Sequence, residues 1–111
     1  MSRPAYRDSS VLAYTAAHDL VLITRNVRDF IRLNEQWVAL RDWGVLARPH
    51  AGILISLGVV PEREWADLVM DLVLHPQCPP LQDQLLLWHA VANRWETDNP
   101  YSHQRRRAIT L

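Results

Sequence analysis

The sequence contains no lysine, a single cysteine, three glycines and no apolar stretch long enough to cross a bilayer. Each shortage excludes something. One thiol, Cys78, rules out an internal disulfide framework and a cysteine-rich zinc site, and it fits a reducing compartment. Three scattered glycines leave no glycine-rich loop to cradle a phosphate, and Ser56-Leu57-Gly58 lacks the preceding glycine of a nucleophile elbow. The longest largely apolar stretch, Ala51 to Val60, is broken by Ser56 and Gly58 and falls short of the ~20 residues a membrane helix needs. Met1 to Ser10 is polar, carries two arginines and does not read as a signal peptide. A cytoplasmic protein with no membrane partner is the expectation.

What is present is one small domain's worth of chain. Of 111 residues, 49% are hydrophobic, enough to build a core and too many for a disordered segment. All 12 basic side chains are arginine and they balance 12 acids, so a module that grips nucleic acid by bulk charge is excluded. The balance is uneven along the chain. Residues 1–60 carry a formal +2, residues 61–104 carry −5, and Arg105, Arg106 and Arg107 restore neutrality. The middle acids, Glu62, Glu64, Asp67 and Asp71, read as the wet face of a helix; the arginine run reads as a solvated tail or a weak polyanion contact.

The patterning alternates helix and strand. A helix is expected from about Ser9 to His18, capped by Asp8 or Ser9. Leu20-Val21-Leu22-Ile23-Thr24 then reads as a strand buried on both faces. A short helix should start at Val27 and another run from about Asn34 to Trp43, stopped by Gly44. Gly52 to Leu57 reads as a second buried strand. Pro61 opens a helix whose Trp65, Leu68, Val69, Leu72 and Val73 form one stripe. Leu81, Leu85, Trp88, Ala92 and Trp95 suggest a last amphipathic helix, with residues 96–111 as a flexible tail. The expected fold class is therefore α/β: strands near 20–24 and 52–57 in a parallel sheet flanked by helices, followed by two C-terminal amphipathic helices. Two strands alone make a poor sheet. Trp37, Trp65 and Trp88 are expected in the core, and Trp43 and Trp95 near helix ends are candidates for a partner contact.

The segment with chemistry in it runs from Asp8 to Phe30. Ligands of open parallel sheets bind beyond the carboxyl ends of the strands. Thr24, Asn26 and Asp29 fall there, and Asp8 can reach the same rim from the preceding helix. Two carboxylates with an amide and a hydroxyl make an oxygen-rich nook suited to a hard divalent cation such as Mg²⁺. A plainer reading stands beside it: Asn26 is a good N-cap, and Asp29 three residues on is a near match to a capping box.

The run from Asp8 through His18, Thr24, Asn26 and Asp29 to Phe30 resembles the C-terminal half of PIN domains, the fold of VapC-type toxin ribonucleases. An Asp opens a helix, an apolar strand follows, and a Thr-x-Asn-x-x-Asp-Phe motif closes the run without a gap. Arg48-Pro49-His50-Ala51-Gly52-Ile53-Leu54 is similar to a run that leads into the last sheet strand in a PIN-like subgroup. The resemblance spans residues 7–57 well and 58–95 loosely.

The resemblance implies that Asp8 and Asp29 match the family's third and fourth acidic metal-site residues. It implies that Thr24 and Asn26 line that site and that Phe30 packs in the core. It also implies Mg²⁺ or Mn²⁺ as cofactor, RNA as substrate and a cognate antitoxin as partner. His50 carries no transferable role and reads as structural. The family's first strand, with its Asp, and its second acid have no counterpart here, so residues 1–111 are expected to form a single, N-terminally incomplete PIN-like domain. Such a domain is either a metal-dependent endoribonuclease, with the absent ligands supplied from elsewhere, or an inactive module. The inactive module would complete its sheet by dimerising or by binding a partner.

Overall fold

The computed structural model describes residues 5–111. In chain order the elements are α1 (Ala5–Ala17), β1 (Leu22–Thr24), α2 (Val27–Asp42), β2 (Ile53–Leu57), α3 (Glu62–Leu74), β3 (Leu85–His89), β4 (Arg94–Asp98) and β5 (Arg106–Ala108). The five strands form one mixed sheet in the order β1-β2-β3-β4-β5. The first three strands are parallel, and β4 and β5 are added antiparallel. The α/β class stands, and the described helices include none long and apolar enough to cross a membrane.

Strand alternation sorts the core into two layers. Ile53, Ile55, Leu85 and Leu87 point to one face and pack with Leu12 of α1 and Phe30 of α2. Leu54 and Leu86 point to the other, against Trp65, Val69 and Leu72 of α3 and Trp95 of β4. The helices α2 and α3 thus lie on opposite faces, although β1, β2 and β3 step across the sheet in one direction. Two such βαβ units are necessarily of opposite hand, so one crossover departs from the strong right-handed preference.

Helix ends follow local chemistry. Beyond α2, Gly44 (φ +76°) sends its N–H to Arg41 and Val45 sends its N–H to Leu40, a Schellman stop. Asp19 (φ +53°) closes α1 the same way, with Asp19 bonded to Ala16 and Leu20 to Thr15. Gly52, entering β2, sits at φ +127° beneath Leu81; a Cβ there would lie 2.8 Å from the Leu81 Cβ, so only glycine fits.

Several expectations are corrected. The helix expected from about Ser9 already runs from Ala5. Asp8 is therefore inside the first turn of α1, where its negative charge suits the helix N-terminus, rather than capping it. The two short helices after β1 are one continuous helix.

The second C-terminal amphipathic helix does not exist. Leu85-Leu86-Leu87 is a strand with both faces buried, and Asn93 in the left-handed region (φ +53°) sits just before β4 in the turn that joins β3 to β4. Residues 96–111 are not a free tail: β4 continues to Asp98, β5 pairs with it, and Ile109 donates its N–H to Trp95. Finally, β1 is an edge strand with Ile23 47% exposed, not a strand buried on both faces, whereas β2 is covered on both.

Candidate functional site

The end of β1 and the first turns of α1 and α2 converge. Thr24 closes the strand, and its hydroxyl accepts the N–H of Asn26 (3.1 Å), turning the chain into α2. Asn26 stands at the N-cap position, yet its side chain makes no capping bond. Its amide nitrogen instead donates to Asp29 Oδ2 at 3.0 Å and to Asp8 Oδ2 at 3.4 Å. The capping-box reading is overturned because the Asn26 side-chain oxygen accepts no backbone N–H of α2, while its nitrogen, a donor, reaches two carboxylates from two different helices. Asp8 is 2% exposed, and Asp29 is half-buried.

A cleft of about 90 Å³ opens over the pair, bounded by Asp8, Asp29, Arg32, Leu33 and Gln36. Arg32 and Gln36 were not anticipated; they follow Asp29 by three and seven residues and so share its side of α2. Phe30, one residue beyond Asp29, is buried against β2 and β3, which anchors the first turn of α2 beneath the cleft.

Asp8 and Asp29 each bring a carboxylate oxygen to one N–H₂ group, which makes the pair an oxygen-only donor set. That set suits a hard cation, which takes one or two carboxylates and completes its shell with waters or phosphate oxygens. Among the described residues, no group of three or more His, Cys, Asp or Glu side chains is placed to hold a metal ion, so the cluster offers two acids and no more.

Other candidate groups are occupied elsewhere. Arg25 donates to the Val60 carbonyl at 2.8 Å, tying β1 to the end of β2. Arg105, at the mouth of β5, is bound by Asp98 and by Glu35 of α2, which raises its pKa further, and Arg106 lies 3.7 Å from Asp98. At least Arg105 and Arg106 of the arginine run are thus engaged within the domain. Trp95 is 4% exposed between Trp65 and Trp88, so it is a core residue and not a contact candidate. Trp43, 76% exposed, remains available.

His50 is structural, as its position before β2 suggested. It is fully buried, Nδ1 accepts the Gly52 N–H (3.1 Å), and Nε2 meets Asn34 Oδ1 at 2.8 Å. Those partners define a neutral ring with the proton on Nε2. Burial lowers its pKa to about 4 against a weaker opposing pull from Asp83. Asp83 accepts the His50 backbone N–H and the Arg41 guanidinium, so α2 and the loops before β2 and β3 are clamped together at the opposite end of the sheet from Asp8 and Asp29.

No family model, curated protein or solved structure matches the chain.

Proposed function

We propose that Asp8, Asn26 and Asp29 form part of a PIN-like, metal-dependent ribonuclease site, in a cytoplasmic protein that belongs to a toxin–antitoxin pair. The observation that carries this reading is the Asn26 amide. Its nitrogen donates to carboxylates from two different helices and so holds them side by side. Holding like charges together costs free energy unless a cation or a donor lies between them.

Asp8 and Asp29 would hold Mg²⁺ or Mn²⁺, with waters and RNA phosphate oxygens in the remaining positions. Bound there, the ion supplies Lewis acidity and charge neutralisation at a phosphodiester. Asn26 fixes the spacing of the carboxylates, Thr24 fixes the turn that presents Asn26, and Phe30 anchors the helix start. Arg32, on the lip of the cleft, would meet an incoming phosphate.

The test is cleavage of single-stranded RNA with and without Mn²⁺. Wild-type protein is expected to cleave only with the metal, and Asp29→Asn to lose about a hundredfold or more of that rate. Equal rates in both proteins would remove the assignment.

A second reading has its own observation. The outer edge of β1 pairs with no strand among the described residues, and it carries the exposed Ile23. An open, apolar strand edge is a template for pairing. On this reading the chain is an inactive PIN-like module that completes its sheet with a second copy or an antitoxin.

A further inference from the structure

A second groove lies across the carboxyl ends of β2 and β3, on the α3 side of the sheet and away from Asp8 and Asp29. Two clefts, of about 360 and 560 Å³, share Val59 and Ala90 and so run together. Its floor is apolar: Val60, Leu68, Trp88 and Ala90. Val59 is 96% exposed and Val91, at the far side, 94%, an apolar surface of the kind that marks an interaction site. The carboxyl ends of parallel strands are also where this class of sheet binds its ligands.

One wall is acidic. Glu64, Asp67 and Asp71 stand at i, i+3 and i+7 on α3 and all border the groove. No arginine lines it, and the one imidazole on its border is His89; Arg25 approaches from β1 but is engaged with the Val60 carbonyl. Like charges one helical turn apart, as in Asp67 and Asp71, repel and destabilise a helix slightly. The wall therefore favours a cationic occupant and excludes RNA and anionic lipid surfaces. Trp88 adds an aromatic ring on which a guanidinium can stack.

We propose that this groove docks an extended peptide segment of a partner protein that alternates arginine with apolar side chains. The apolar residues would sit on Val60, Leu68 and Trp88 while the arginines face the α3 carboxylates. This inference stands apart from the nuclease reading and survives its failure.

Three synthetic 12-residue peptides provide the probe, titrated calorimetrically into the full-length protein. One alternates Arg with Leu, one alternates Glu with Leu, and one carries the same arginines among Gly and Ser. The Arg/Leu peptide is expected to bind about tenfold or more tighter than either control, since charge and apolar burial both contribute. The double variant Asp67→Asn/Asp71→Asn, altered at two exposed positions and checked for native circular dichroism, is expected to lose about tenfold of that affinity. Absence of binding, equal affinity for the Glu/Leu peptide, or unchanged affinity in the double variant would overturn the proposal. Equal affinity for the Arg/Gly/Ser peptide would also overturn it, by reducing the groove to a merely acidic surface.

Discussion

His50 shows how a single side chain ties burial, hydrogen bonding and pH response together. The folded protein holds it neutral with a pKa of about 4, while the unfolded chain titrates near the ordinary imidazole value of 6.5. Between those values the unfolded state binds a proton that the folded state refuses. The contribution of His50 is therefore complete above about pH 6.5 and is lost as pH falls toward 4, at up to about 1.4 kcal/mol per pH unit. Urea unfolding of wild type and His50→Gln at pH 7, 6 and 5 checks this: the stability gap between them should narrow as pH falls, and a constant gap would contradict it. Gly52 makes the complementary point about backbone. At φ +127°, with Leu81 Cβ 2.8 Å from where its own Cβ would lie, Gly52→Ala is expected to cost about 2 kcal/mol or more in chemical denaturation. A loss below about 0.5 kcal/mol would mean the loop relaxes freely. At this scale the sequence was readable where a residue's role is local. Thr24, Asn26 and Asp29 lie within six positions and Asp8 one helix away. The partners of His50 were hidden, because Asn34 and Asp83 reach it from α2 and a distant loop.

Among the elements, β2 and α3 could be read because each carries one dominant pattern, whereas α2 was expected as two helices and β1 as a strand buried on both faces. The segment from Leu81 to Trp95 carries two patterns. Leu81, Leu85, Trp88, Ala92 and Trp95 mimic a helical stripe, while Leu85-Leu86-Leu87 is the continuous apolar run of a doubly buried strand. Tertiary context decides between them: β2 offers a free edge, and pairing there buries Leu85 and Leu87 on one face and Leu86 on the other. The same pairing supplies the strands that a two-stranded reading lacked, and β4 and β5 then absorb what looked like a tail. At the opposite edge, β1 stays open. Ile23→Lys is expected to change stability by less than about 0.5 kcal/mol, since the side chain is already half in water. It should also shift any self-association seen in sedimentation velocity toward monomer, because a charge on an edge blocks pairing. Association that survives the change would place the contact on another surface.

In the whole molecule, zero net charge conceals a division of labour along the chain. The motif-bearing half is mildly basic, the acids of α3 gather along the groove at the ends of β2 and β3, and Arg105 and Arg106 answer buried Asp98 and exposed Glu35 within the domain. The Asp8–Asp29 cleft and the acidic groove beside α3 therefore lie at different places on one sheet. The opposite hands of the two crossovers are a property of this scale alone, since no local pattern encodes which face a connecting helix will cover. The central claim is that Asn26 draws Asp8 and Asp29 together as a divalent-cation site. It is tested most directly by titrating Mn²⁺ and following free Mn²⁺ by electron paramagnetic resonance. Wild-type protein is predicted to bind one Mn²⁺, and Asp8→Asn and Asp29→Asn each to weaken that site by about tenfold or more. Mn²⁺ binding that is absent, or equal in all three proteins, would contradict the account.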